Sequence, residues 1–537
     1  MKTNNLLTTI LLLFTLNSNS QAPTIQWQKC FGGTEPDILW YCVELANGGY
    51  MVNGGTSSSD GNITYNHGNG DFWIIKIDGL GNLVWNKCIG GSDIDGGYCI
   101  SHSDGSSSII GGSWSNDGDV SGNHNPGVPD AWIAETDISG NVIIQKCFGG
   151  SDYDSFISRC NTNDGCFLLA GFTYSNDGDA IGGGLHGGMD IWVVKLDSSN
   201  NIVWQKCYGG SGDESALKII KTGNSYIIGG STNSNDGDVS IAYGGNDYWM
   251  FKIDSIGDMV WNKTFGGSQD DFVVGIVQSI DGGIVLAGFT SSQDGWVTGR
   301  HDSLAWQYDF WLIKVDTNGA LQWQKCYGGN GDDQNRGINN APDGGFFIYG
   351  MTSSNDGDVS GNHGNGCAPF WCQDDWLVKI DSIGNIQWQK CLGGSDGEDG
   401  AYCIQTADSG FLFVGSTYSN DGDVTGSFNH GNSDAWVVKL SPETTGLHNA
   451  IDRSLADLFC YFNSFESNIN VSFYANHYEK IKFQLLDIAG RNLIQHQFSV
   501  INGFNKIEIP VKALSDGIYF INILSEFESI TKQIIIE

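Results

Sequence analysis

The chain has 537 residues, enough for two or more domains, with 76 Gly but only 8 Pro, and with 18 Trp and 27 Phe. That aromatic load excludes an unfolded chain, and abundant Gly without Pro suits many tight turns between strands. A formal net charge of −35 excludes nucleic acid and anionic membranes as partners and leaves cations, or basic and neutral surfaces.

At the N-terminus Lys2 precedes an apolar run from Leu6 to Leu16 and a small-x-small ending at Ser20 and Ala22. A run of about 11 residues is too short for a permanent membrane span and reads as a signal peptide over residues 1–22. No later run approaches the roughly 18 residues that a spanning helix needs, so no transmembrane segment is expected in the mature chain.

Residues 23–440 repeat. Trp-x-Lys-Cys-x-Gly-Gly starts at Trp27, Trp85, Trp204, Trp261, Trp323 and Trp388, with Ile144 in the Trp place of the third copy and Thr264 in the Cys place of the fifth. A period of roughly 60 residues means one supersecondary unit stacked on its own copies. Each unit predicts four short strands; in the second copy these are Val84–Cys88, Tyr98–His102, Ser108–Gly112 and Ala131–Glu135. Turn residues such as Asp104-Gly105 and Ser139-Gly140-Asn141 separate them. Four antiparallel strands with fixed aromatic places predict the blade of a β-propeller. Trp73, Trp132, Trp192, Trp249, Trp311, Trp376 and Trp436 hold one strand position in every copy, as filler between flat blades. The last copy ends at Leu440 without a Trp-x-Lys-Cys strand, whereas Ile25–Cys30 has no strand before it. The N-terminal strand is therefore expected to complete the last blade, so that the fold class is all-β, a seven-bladed propeller closed by an N-terminal strand.

The recurring Gly-Gly-Ser-x-x-Asp, Ser-Asn-Asp-Gly-Asp-Val, Asp-x-Trp-x-x-Lys and Gly-Asn-x-x-Trp units over residues 25–440 resemble the bacterial seven-bladed propeller repeats called SBBP repeats. The resemblance implies an exported propeller without an assigned activity. Asp78 to Trp85 and Asp381 to Trp388 also resemble the Trp-docking motif of quinoprotein dehydrogenases. Those propellers have eight blades and shorter repeats, and their quinone-binding residues have no counterpart in this sequence.

After Leu440, Ser441 to Leu455 reads as a linker, and Trp then disappears. Alternating segments at Ile469–Phe473, Lys480–Leu485, Lys506–Ile509, Ile518–Ile523 and Thr531–Ile536 predict a small β-sandwich over residues 456–537. Asp487-x-x-Gly490-Arg491, Leu514-x-x-Gly517-x-Tyr519 and the Lys532 strand resemble the type A sorting domain of the type IX secretion system of Bacteroidetes. Asn463-Ser464 stands where that family has Asn-Pro. The resemblance implies export to the extracellular side or outer cell surface, with the type IX machinery as a partner.

Fourteen cysteines in an exported chain invite disulfides. Cys367 with Cys372, and Cys160 with Cys166, are the local candidates; the strand cysteines are read as buried thiols, because strand spacing separates them. The recurring acidic pairs Asp117/Asp119, Asp177/Asp179, Asp236/Asp238, Asp356/Asp358 and Asp421/Asp423 offer carboxylates to calcium or form Asx turns. A His often follows, then an Asp just before the Trp strand. No other cofactor is expected. Two loops break the pattern and supply ligand-contact candidates: Trp296, Arg300 and Trp306 in the fifth copy, and Phe370 and Trp371 in the sixth. No nucleophile or metalloprotease motif occurs, and Arg159, Arg300 and Arg336 form no recurring clamp. A non-enzymatic module that binds a surface glycan or protein is expected, with a hydrolase, lyase or quinone-dependent dehydrogenase as alternatives.

Overall fold

The computed structural model describes residues 22–443 apart from 47, 103–104, 302–303, 305–306, 365–371 and 425–429, and residues 455–536 apart from 464–467, 476–478, 489–490, 501–502, 512–513, 515–516 and 525–528. The chain is all-β, and one division between compact units falls between Glu443 and Thr444. Residues 1–21 of the predicted signal peptide lie outside the described residues. No helix among the described residues is long and apolar enough to cross a membrane.

Before residue 443 the described residues form seven four-stranded antiparallel sheets that resemble propeller blades. Their first strands are Asp37–Glu44, Asp95–Ser101, Asp154–Asn161, Glu214–Thr222, Asp271–Gln278, Asp333–Asn340 and Glu398–Gln405. The second copy follows the sequence pattern closely, with strands Asp95–Ser101, Ser107–Ser113, Asp130–Thr136 and Val142–Phe148. First strands of consecutive sheets touch in succession, and the first strand of the first sheet touches three strands of the seventh. In the seventh sheet the outermost strand is Ile25–Phe31, paired with Asp434–Leu440 so that Cys30 faces Trp436. This is the register of Cys88 against Trp73 in the first sheet.

The third-strand tryptophans are buried completely. Each lies in register between a glycine of the second strand and a fourth-strand residue; Trp192, for example, sits between Gly171 and Cys207. Trp132 packs with Met51, Phe72 and Ile74 of the preceding sheet. Its indole N–H donates to Gln145 Oε1 at 3.2 Å, and Trp436 donates likewise to Gln28 Oε1 at 2.8 Å. A repeated Trp at this place therefore fills the space between sheets.

Carboxylates are buried at every junction between sheets. The first strands open on Asp37, Asp95, Asp154, Glu214, Asp271, Asp333 and Glu398, all of them buried. Asp154 accepts bonds from the Thr173 hydroxyl, from Ser175 Oγ at 2.8 Å and from the Gly150 amide at 2.8 Å. The third strands open on a second buried set: Asp71, Asp130, Asp190, Asp247, Asp309, Asp374 and Asp434. In six of these Oδ2 accepts from a His backbone amide and faces its ring Nδ1, as at His186–Asp190 and His301–Asp309, both 2.7 Å. Oδ1 has no hydrogen-bond partner in any of the seven. The two sets meet around the first glycine of each Gly-Gly pair. A Cβ at Gly328 would lie 2.5 Å from Asp333 Oδ2 and 3.1 Å from Asp309 Oδ1. Only glycine lets the backbone pass between the two carboxylates.

In the sixth sheet the junction aspartate is Asp374, which pairs with Thr352, and Asp375 follows it. Asp375 stands where Phe72, Ile191, Tyr248 and Phe310 stand in other sheets. It is buried with neither carboxylate oxygen bonded, and burial raises its pKa well above the usual range.

Beyond the division, Leu455–Asn463, Asn468–Ala475 and Gly503–Pro510 form one sheet, and Asn492–Val500, Glu479–Leu486, Gly517–Leu524 and Ser529–Ile536 form another. Five of these strands contain the predicted segments; Leu455–Asn463 and Asn492–Val500 add two more. Ile469, Val471 and Ile509 share one apolar cluster with Phe483, Leu485, Ile521 and Ile534 of the second sheet. In the Asp487-to-Arg491 motif the Arg491 side chain reaches back to Asp487 at 2.6 Å.

Two predictions follow from this packing. Deleting residues 23–31 removes Phe31 and the partner of Asp434–Leu440. At roughly 1.5–3 kcal/mol per buried large side chain, the loss should be on the order of 5 kcal/mol with the lost strand pairing. Calorimetric melting should show the whole first unit destabilised, and an unchanged transition would refute the pairing. The second concerns pH. Burial, reinforced by a neighbouring carboxylate, pushes Asp154 and Asp271 up to about 6, Asp247 to about 7, and Asp333 and Glu398 to about 8. A group that binds its proton more tightly folded than unfolded stabilises the fold at low pH and loses that contribution as pH rises through the raised value. His301, raised by its bond to Asp309, acts in the same direction. The melting temperature should therefore fall between about pH 5 and pH 8; a series of melts at fixed ionic strength that is flat or rising would contradict it.

Candidate functional site in the central cavity

The acidic loops tie neighbouring sheets together. Asp117, Asp177, Asp236, Asp356 and Asp421 each accept a 2.7 Å bond from the backbone amide of Ser92, Ser151, Ser211, Asn330 or Ser395, in the loop after the preceding sheet. These backbone donors hold Asp117, Asp177 and Asp421 below the usual carboxylate range. The loop glycine beside each has positive φ, +62° at Gly118, and its Cβ would strike the Gly90 carbonyl. Asp119, Asp179, Asp238 and Asp358 lie 3.8, 3.6, 4.0 and 3.6 Å from Nε2 of His67, His124, His186 and His301 on the preceding sheet. The Asp423 amide donates to the Gly393 carbonyl at 2.7 Å. Each bridging His thus faces its own sheet's junction aspartate with Nδ1 and the next sheet's loop with Nε2. Among the described residues no three His, Cys, Asp or Glu side chains converge as a metal ligand set.

Of the loop candidates, Trp296 is 38% exposed and sets its ring edge-on to Phe265 at 5.5 Å. Arg300 is turned onto its own loop, donating to the carbonyls of Ser291 and Gln307, each at 2.7 Å. Trp306, Phe370, Trp371 and Cys367 lie outside the described residues. Cys372 is disulfide-bonded. Cys160 and Cys166 are both free, a correction to the local pairing expected from sequence. Cys160 is in register with Leu168, and Cys166 lies across from Thr162. The two thiols are therefore diagonal neighbours, about 7–8 Å apart at Cα, beyond the usual reach of a disulfide. Cys42, Cys88, Cys147, Cys207, Cys326, Cys391 and Cys403 on the strands form no disulfide either.

The first strands of all seven sheets line one cavity of about 610 Å³, within the roughly 300–1,000 Å³ range of small-molecule sites. Six of these strands carry a β-bulge against their second strand, at Trp40, Ile157, Leu217, Val274, Arg336 and Ala401. Bulges re-aim side chains, and all six of these residues line the cavity. The next position in each strand is Tyr41, Tyr98, Ser158, Lys218, Gly275, Gly337 or Tyr402, all in equivalent register and all lining the cavity. The repeat is nearly uniform in its outer strands and least uniform here.

Charge is sparse in the cavity and mostly paired. Arg159 donates to Glu135 at 2.6 Å and to Ser108 Oγ at 2.7 Å. Glu135 takes the place of the lysine that other sheets direct to their own first turn, as in Lys195–Asp164 and Lys314–Asp281, both 2.6 Å. Arg336 lies 3.4 Å from Asp399. Lys218 is exposed and has no ion-pair partner among the described residues, and the protein packed beside it lowers its amine pKa by desolvation. The Tyr41 and Tyr402 rings lie 4.5 Å apart, tilted by 39°, and Tyr349 sits edge-on to Tyr402 at 5.8 Å. Arg159 and Arg336, which form no recurring clamp in the repeat, reach one cavity from different sheets. Aligning the first strands of the copies would have exposed Trp40, Lys218 and Arg336 as departures from their equivalents.

Residues 461–537 match the family described as the secretion system C-terminal sorting domain, Por_Secre_tail. No curated protein matches the chain. Among solved structures, the plexin A4 full extracellular region aligns with a TM-score of 0.40 at 6% identity, over 94% of this chain and 67% of that one. A putative gluconolactonase aligns at 0.30 and 7%, over 80% and 96%. A Synechocystis apocarotenoid oxygenase variant aligns at 0.33 and 11%, over 92% and 98%. With TM-scores this low, no activity is carried over from them. The matched tail is a type IX sorting domain, and it directs the protein to the cell surface or the extracellular space.

Proposed function

We propose that residues 25–440 form a seven-bladed propeller of the SBBP type, closed by the N-terminal strand, with the sorting domain as a small β-sandwich. The propeller works outside the cell as a non-enzymatic binding module that takes a small ligand with an apolar body into its central cavity. The observation that carries this reading is the convergence of seven first strands on one cavity, where the repeat breaks down into Trp40, Lys218 and Arg336. Uniform outer strands serve packing. Variation gathered at the hub serves recognition.

A second reading rests on one junction. Tyr243 replaces the bridging His in the fourth copy, and Trp296 replaces the facing Asp in the fifth, both 38% exposed. Two exposed aromatics at the place of a lost His–Asp bridge suit a neutral glycan.

A thermal-shift screen of apolar small molecules and neutral oligosaccharides on the mature chain separates the two. The Trp40→Ala variant should lose at least about tenfold in affinity for a small-molecule hit, the 1–2 kcal/mol scale of an aromatic contact, whereas Trp296→Ala should not change it. Loss of binding with Trp296→Ala alone would move the site to the outer junction, and no hit in either class would reject both readings.

A further inference from the structure

Resting on the cavity reading, we infer that the ligand is an organic anion, an aryl carboxylate, whose charged end is held by Lys218 and Ser158. The cavity's charges set the sign. Arg159 is neutralised by Glu135 and Arg336 by Asp399, at 2.6 and 3.4 Å. Lys218 is left as the one lining cation without an ion-pair partner among the described residues. An unpaired ammonium beside an apolar wall gains a charge-assisted hydrogen bond by binding an anion. A cationic ligand would find only Asp399, already held by Arg336.

Ser158 supplies the second contact. It comes from the neighbouring sheet in the same register layer as Lys218 and lines the same cavity. Its Oγ accepts a 3.1 Å bond from the Ile219 amide, the residue next to Lys218. That bond orients the hydroxyl and leaves its hydrogen to donate. An ammonium and a hydroxyl on adjacent strands match the two oxygens of a carboxylate.

The rest of the layer fits an aromatic body. Tyr402, Tyr41 and Tyr98 come from three adjoining sheets, Trp40 lies beside them, and Ile157, Leu217 and Val274 complete an apolar wall. At the same layer Gly275 and Gly337 supply no side chain. The chain's formal net charge of −35 repels anions over long range. Selectivity for an anion therefore has to come from a local cation, which Lys218 provides.

The test uses isothermal titration of the full mature chain with naphthoate and, separately, with its uncharged amide. The wild type should bind the acid about ten- to a hundredfold more tightly than the amide, the range expected for hydrogen bonds to a charged group. Lys218→Met should remove that preference while amide binding is kept, and Lys218→Arg should restore part of it. Equal binding of acid and amide by the wild type would overturn the anion inference and leave the cavity reading standing. Binding of neither would overturn both. A preference that persists in Lys218→Met with an unchanged melting temperature would overturn the role of Lys218.

Discussion

The structure depends on putting two carboxylates into the dry seam between each pair of sheets. A buried carboxylate is tolerated only when donors surround it, and at the first-strand position a Thr or Ser hydroxyl, a second Ser hydroxyl and a glycine amide supply them, as around Asp333. The third-strand aspartate is satisfied on one oxygen alone. Much of the repeat's sequence follows from this arrangement. The Gly-Gly pair is glycine because the backbone threads between carboxylates and a neighbouring loop. The Thr-x-Ser that ends the second strand is there to donate. The His before the Trp strand is there to face the aspartate that opens that strand.

A seam built this way makes adjacent sheets interdependent. The His–Asp and Asp–amide bridges on one side of the sheets repeat that coupling through polar contacts, and the tryptophans repeat it through apolar ones. Residues committed to such a seam are poorly free to vary, and they are uniform among the copies. Variation is left to the first strands, whose bulges turn side chains toward the shared cavity. That is why a chain with so regular an exterior has an irregular interior. Trp40, Lys218 and Arg336 have no chemical counterpart at the matching positions of the other sheets.

The loops show the same division of labour. Arg300 looked like a recognition residue because arginine is rare in the repeats, but its guanidinium holds its own loop closed. The paired aspartates place two carboxylates one residue apart, a spacing that suits calcium or an Asx turn. Their first members are committed to backbone amides of the preceding sheet, and four of the second members face its histidines. In both cases the partner is distant in sequence or is a main-chain atom, and spacing within a motif carries no information about either.

By itself the sequence determined the strand pattern, the sheet-to-sheet period, the outermost place of the Ile25–Phe31 strand and the sorting tail. These follow from short-range periodicity and from residues that recur at fixed intervals, which one chain displays without alignment. Only the tertiary structure decided which carboxylates are buried, that Asp374 rather than Asp375 opens the sixth Trp strand, that Cys160 and Cys166 stay apart, and that Lys218, Arg159 and Arg336 share a cavity. Each of those depends on cross-strand register or on contacts between residues about sixty or more positions apart. A side chain's neighbours across a seam, unlike its neighbours along a strand, are fixed only when the sheets come together.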